Sequence, residues 1–308
     1  QIAASRIGAR RAEELIARHG LETFEAACAA LKDRAETLLR AAIAAVPDGV
    51  CRAEAEIDGF EGDPERGNLP LVVTLTVKGD EMLVDLTGTA PQVPDRPINM
   101  PFEGTVDIAI WLTIRSILLD TAVEGHIPVN AGLVRPITIN APRGSLANPI
   151  FPAPTIARFA PGNQLADTVM KALSQAVPGR VSAGIGNLKV IAFSGLSGGD
   201  GMDGMDAVDT LFANTRNNPI EDIESHLPLR VSRYALREEA GGEGEYRGGL
   251  GAIREFEFLA DGGISIEGEG HVFRPWGMVG GGEGRAASVI AHRGAGAAAP
   301  LPSKVPYA

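Results

Sequence analysis

Residues 47–88, PDGVCRAEAEIDGFEGDPERGNLPLVVTLTVKGDEMLVDLTG, are where the hydrophobic period of this chain changes. Before them, from Ser5 to about Val46, the sequence is rich in Ala, Leu, Arg and Glu. Its apolar residues Leu15, Ile16, Phe24, Ala27, Leu31, Leu38, Leu39 and Ile43 recur at helical spacing, broken only near His19-Gly20. That pattern predicts two helices joined at the glycine. Pro47-Asp48-Gly49 stops the second helix. The runs VCRAEAEID, LVVTLTV and EMLVDLTG, rich in Val, Ile and Thr, then alternate with turns and read as strands, with Gly79-Asp80 as a hairpin turn.

Further along, TVDIAIWLTIRSILLD (105–120) carries an apolar stripe too wide for an exposed helix and is expected to be a buried one. Another helix is expected from Gln164 to Ala176. After Val181 the runs LKVIAFSG, LRVSRYALREE, AIREFEFLA, ISIEGEG and ASVIAH are separated by glycine-rich loops, and no long helix is evident. The fold class is therefore α+β: N-terminal helices and a mixed α/β region, followed by a strand- and glycine-loop-rich β region. A soft boundary near residue 182 divides the chain into 1–181 and 182–308, and no repeat of fixed period is present.

Composition supports a folded chain: 308 residues, 44% hydrophobic and 22% charged, enough for one large or two modest domains. A net charge of −11, with no basic run to offset it, argues against nucleic acid as a partner. No apolar stretch reaches the roughly 18–20 residues of a membrane span, and the first residues are amphipathic and Arg-bearing, unlike a signal peptide. A cytoplasmic protein is the expectation. The two cysteines, Cys28 and Cys51, offer neither a disulfide framework nor a metal knuckle and are expected to be reduced and structural.

The tract FANTRNNPIEDIESHLPLRVSRYALREEAGGEGEYRGGLGAIREFEF (212–258) combines a polar loop, a charged hairpin and glycine turns. With QIAASRIGARRAEELIARHG (1–20), LVDLTGTAPQVPDRPINM (83–100), HIPVNAGLVRPITINAPRGSLANP (126–149), GNQLADTVMKALSQAVPGRV (162–181) and RPWGMVGGGEG (274–284), it resembles the hydantoinase B/oxoprolinase family, in the family's order and over nearly the whole chain. The resemblance implies a subunit of an ATP-dependent cyclic amidohydrolase that opens a hydantoin, oxoproline or other lactam. ATP would act through a hydantoinase A-type partner in a hetero-oligomer. It also implies that both ends are truncated relative to the family, and that a divalent metal is held by His and Asp residues of the missing N-terminal part. The same resemblance admits an acetone/acetophenone-type ketone carboxylase, and a structural subunit without a site of its own stands beside both.

The residues themselves offer candidates. In ANTRNNPIE, Asn214 and Arg216 could hold an oxyanion or phosphate as catalytic groups, with Asn217 and Asn218 binding substrate. The competing reading is a turn leading into a short helix with Pro219 at its start. Asp85, Asn99, Asn130 and Arg135 border loops that could hold reactive groups. Glu267, Glu269 and His271 alternate, so in an extended segment they would share a face and could ligate a divalent metal; otherwise they line a solvated strand face. Arg230, Arg233 and Arg247 are assigned to architecture, through cross-strand pairing with Glu238 or Glu245.

Other patterns fail on context. Gly195-Leu196-Ser197-Gly198-Gly199 fits GxSxG without the helix a nucleophile elbow needs. Asp200, Asp203 and Asp206 match no calcium-loop pattern. Met170-Lys171 lies in a helical stretch, which rejects biotin. Residues 282–287 fit GxGxxA but follow no βαβ strand, so no NAD site is expected. No P-loop sequence occurs, so any ATP use must come through a partner or a different fold, and the resemblance implies the partner.

Overall fold

The computed structural model describes residues 2–59, 67–184, 202–208, 218–239, 241–294 and 296–305. Helix α1 (Ile2–His19) and helix α2 (Leu21–Ala44) meet at Gly20, whose φ of 83° is left-handed backbone that glycine adopts without a Cβ clash. No residue of α1 is buried, whereas α2 buries Ala35, Leu39 and Ile43, one face at four-residue spacing.

After the turn at Pro47 come β1 (Gly49–Ile57), β2 (Leu69–Lys78) and β3 (Glu81–Asp85), an antiparallel meander whose second turn is Gly79-Asp80. Leu71, Val73, Leu75 and Val77 alternate inward along β2, as period-two patterning requires. The chain then forms α3 (Asp107–Leu118) and a single turn, α4 (Thr121–Glu124). It returns as β4 (Ile137–Asn140), parallel to β3, so that the sheet order is β1-β2-β3-β4. Helix α5 (Phe159–Leu173) lies across β1 and β2 and against α3, and is buried along nearly its whole length. Each fully buried Leu or Ile here contributes on the order of 1.5–3 kcal/mol. Among the described residues, the continuous apolar core is drawn from positions between Ala35 and Val181.

Beyond it lie α6 (Ile220–His226), the antiparallel pair β5 (Leu229–Arg237) and β6 (Gly251–Phe258), the short β7 (Ile266–Glu267), β8 (Val289–Ala291), β9 (Ala299–Leu301) and β10 (Lys304–Val305). The pairs are β5-β6, β7-β10 and β8-β9, and no residue of β5 or β6 is fully buried. The architecture is α+β, with helices on the N-terminal sheet and small two-stranded ribbons beyond it. Two expectations need correction. Arg230 and Arg233 pair with Glu257 (3.1 Å) and Glu255 (3.4 Å), because the register sets β6 rather than the intervening loop opposite them, and Arg247 reaches Asp206 at 3.2 Å. The ISIEGEG strand ends at Glu267, and Gly270, at φ 79°, breaks the alternation that would have carried Glu269 and His271 onto one face.

The glycine-rich loop 277–284 folds on its own backbone: a Cβ at Gly277 would overlap the Gly281 carbonyl oxygen. Its tip places Val279 at φ 50° before Gly280 at φ 85°, closed by a bond from Gly281 N–H to the Met278 carbonyl (2.9 Å). Two successive positive φ values call for Asn-Gly, and a β-branched residue at the first of them is strained. Val279 is 88% exposed, so packing offers little in return. Val279→Asn is expected to stabilise the fold by about 1 kcal/mol, read as a rise in the urea midpoint; a lower midpoint would mean that contacts of the valine outweigh its backbone strain.

Candidate functional site

Most polar candidates are engaged in holding loops. Asn99 is buried: its Oδ1 accepts from Val93 N–H (2.8 Å), and its Nδ2 donates to the carbonyls of Val93 (2.7 Å) and Pro154 (2.9 Å). Asn130 caps the 3-10 turn Ala131–Val134 through Gly132 N–H and donates to the Leu31 carbonyl of α2. Arg135 reaches the same helix, at Asp33 (2.9 Å) and Glu36 (2.8 Å), and with Arg40 holds the Glu36 carboxyl below its usual range. Asn130 and Arg135 thus converge on α2 and away from the other candidates.

Asp85 ends β3 beside Asn140, its parallel partner at the end of β4. It accepts from the hydroxyl (2.7 Å) and amide (3.0 Å) of Thr87 and from Asn140 Nδ2 (2.9 Å); these bonds, the Thr87 hydroxyl foremost, hold its carboxyl below the ordinary range. Asn218 donates to Asp222 in the first turn of α6. Asn214, Arg216 and Asn217 lie outside the described residues, as do Ser197 and Asp200. Asp203 and Asp206 instead accept backbone N–H groups of Arg247 and Leu250, tying 203–206 to the YRGGLG turn.

A different cluster gathers buried charge. Asp58, directly after β1, is 1% exposed, and its carboxylate accepts from three successive amides, His271 (2.8 Å), Val272 (3.3 Å) and Phe273 (3.4 Å). Its own N–H donates to Glu269 Oε2 (2.8 Å). Glu269 Oε1 meets Lys304 Nζ at 2.6 Å, and Lys304 also donates to the Gly268 carbonyl (3.1 Å). Residues some 210 positions apart are therefore joined by two carboxylates and one ammonium, nearly all within the interior. Glu267, on β7, faces the same surroundings; one of its oxygens is buried without a hydrogen-bond partner, and burial pushes its carboxyl up.

This geometry bears on metal binding. Both oxygens of Glu269 are taken by Lys304 and the Asp58 amide, and His271 contributes its backbone N–H to Asp58. Among the described residues no group of three or more His, Cys, Asp or Glu side chains is placed to hold a metal ion, so Glu267, Glu269 and His271 do not form a ligand set. Nor is Glu269 on a solvated face, being 1% exposed. Sequence reasoning missed Asp58 and Lys304. Their signals were an aspartate directly after the apolar end of β1 and a lone lysine in the apolar run PLPSKVP.

What the cluster can do chemically is hold a proton. Burial pushes the Glu269 carboxyl from its ordinary 4.5 up to about 7, more than the nearby Lys304 ammonium pulls it down. The folded protein therefore binds this proton more tightly than the unfolded chain. The associated stability is fully present below about pH 4.5 and is lost as pH rises through about 7. In urea unfolding, the stability of the native protein relative to Glu269→Gln is expected to fall as pH rises across that window; a pH-independent difference would contradict the raised carboxyl.

A second polar joint lies nearby, where Trp276 Nε1 donates to Asp167 on the buried α5 (2.8 Å) and the Trp276 carbonyl accepts from Gly184 N–H.

Comparison with known proteins gives this architecture a context. The model of the family described as hydantoinase B/oxoprolinase matches residues 1–305. A putative D-/L-hydantoinase subunit from Pseudomonas sp. (strain NS671) is 55% identical across 99% of this chain and 55% of that protein. The crystal structure of an ATP-dependent caprolactamase from Pseudomonas jessenii superposes with a TM-score of 0.82 at 26% identity, covering 100% of this chain and 56% of that one. A nucleotide-free acetone carboxylase structure shares the fold with a TM-score of 0.77 at 19% identity, over 90% of this chain and 41% of that one. The chain thus spans about half the length of the hydantoinase and caprolactamase subunits it matches, and about a fifth of the 5-oxoprolinases from Dictyostelium discoideum and Arabidopsis thaliana. Among the described residues, no helix is long and apolar enough to cross a membrane.

Proposed function

The chain belongs to the hydantoinase B/oxoprolinase family, and from that premise we propose that it is part of an ATP-dependent cyclic amidohydrolase subunit that opens a hydantoin or related lactam. The observation that carries this reading is the 55% identity, across 99% of the chain, to a protein named as a putative hydantoinase subunit. The likeness to a caprolactamase supports it from structure, since hydantoins and caprolactam share a ring amide.

The chemistry explains why ATP is needed. Nitrogen donates into an amide carbonyl and makes its carbon a poor electrophile. Phosphoryl transfer from ATP to the exocyclic carbonyl oxygen gives ADP and an imidate-like phosphate. Water can then attack the carbon, the C–N bond breaks with nitrogen leaving as the amine, and hydrolysis of the remaining acyl phosphate releases phosphate. No P-loop sequence occurs in this chain, which agrees with an ATP-binding partner of the hydantoinase A type in a hetero-oligomer. Asn214 and Arg216 remain our candidates for holding the developing oxyanion or the phosphate, through amide and guanidinium donors. Asp85 with Asn140, side by side at the carboxyl ends of two parallel strands, is our further candidate for meeting a substrate.

The test is ADP formation by the full-length protein co-purified with its ATP-binding partner, with hydantoins, 5-oxoproline, caprolactam or simple ketones added in the presence of labelled bicarbonate. Turnover stimulated by a cyclic amide, with ring-opened product and no fixed label, is the expected outcome. Ketone-stimulated fixation of label would assign a carboxylase instead, and silence across the panel would leave a structural subunit.

A further inference from the structure

The β5-β6 ribbon presents an unusual ladder of cross-strand neighbours. Along one face of β5, Arg233 lies opposite Glu255, Ala235 opposite Ile253, and Arg237 opposite Gly251. The first pair is an ion pair at 3.4 Å and the second is apolar. The third leaves a guanidinium facing a residue with no side chain.

Arg237 is half-buried, and its guanidinium donates to the Ala286 carbonyl at 2.7 Å. Among the described residues no carboxylate lies within ion-pair distance of it. A partly desolvated cation with one neutral acceptor keeps most of its five donors available and favours an anionic partner. The space is there: a cleft of about 370 Å³ opens over this end of the ribbon, bounded by Arg233, Ala235, Arg237, Glu238, Ile253 and Arg285. Arg285 is held in the wall by Glu239, whose carbonyl and carboxylate take its Nε and one terminal nitrogen. Arg233 and Arg285 are each paired with a carboxylate, Glu255 and Glu239, which leaves Arg237 as the lining guanidinium without a counter-ion among the described residues.

We propose that this cleft binds a small oxyanion, a carboxylate or phosphate group of a ligand, anchored by the open side of Arg237 and flanked by Arg233 and Arg285. The volume suits a ligand of small-metabolite size, and the planar fork of Arg237 can take two oxygens at once. Glu238 on the rim limits how much negative charge the cleft accepts. The proposal stands independently of the cyclic-amide reading.

Calorimetric titration of the full-length protein with inorganic phosphate and, separately, with malonate, at constant ionic strength set by chloride, tests it and tells the two anion types apart. Saturable binding of at least one is expected. Arg237→Gln should weaken it by about tenfold or more, with part of the affinity restored by Arg237→Lys. Gly251→Glu should weaken it comparably while leaving Arg237 in place, because it supplies the counter-ion the ladder lacks, as Glu255 does for Arg233. Glu238→Gln should tighten binding. If neither anion binds saturably, or if binding survives unchanged in both Arg237→Gln and Gly251→Glu proteins that melt like the native one, the site does not exist.

Discussion

Two carboxylates and one lysine, buried together, hold the glycine-rich β region against the helix-covered sheet. The described apolar core ends at Val181, and Trp276 is the C-terminal side chain packed against it. The ribbons beyond offer little apolar area to drive their own docking. Attachment falls to Asp58, Glu269 and Lys304, and to the indole bond on Asp167. A buried ion pair adds little net stability over an apolar substitute, yet losing one member costs about 3–5 kcal/mol because the other is left uncompensated. Such a joint specifies one arrangement: the Asp58 carboxylate is satisfied only where three successive amides converge, and Lys304 only where Glu269 Oε1 and the Gly268 carbonyl meet.

The division of labour within the chain was legible to different depths. The helical pair broken at Gly20, the hairpin at Gly79-Asp80, the buried α3 and the central α5 could be read from periodicity, because each is decided by local apolar spacing and turn chemistry. The family could be read because several motifs recur in order along the whole chain. Contacts between distant segments could not. Asp58 reads locally as a turn residue after a strand and Lys304 as a surface lysine; only the fold brings them to within one glutamate of each other. The same limit applies to β7, where a run of alternating polar residues looked like a strand but Gly270 turns the backbone. It applies to the arginines of β5, whose partners depend on a register that the intervening loop conceals.

Asn99, Asn130 and Arg135 show why polar loop residues are ambiguous in sequence. The donors that would grip a substrate carbonyl are the same ones that satisfy backbone carbonyls and amides in a buried turn, and in these three they are spent on the chain itself. Asp85 with Asn140 differs in lying at the end of a parallel strand pair, and Arg237 in facing a glycine.

If the polar joint is what holds the two regions together, loosening it should free one side and spare the other. The most direct measurement is amide hydrogen exchange in Asp58→Asn, followed at His271, Val272 and Phe273 and at the buried turns of α5. Removing the carboxylate charge should accelerate exchange at 271–273 by about tenfold or more, the weakening expected of a charge-assisted bond made neutral, while α5 keeps its protection. Unchanged exchange at 271–273, or equal loss of protection in α5, would contradict the central role given to Asp58.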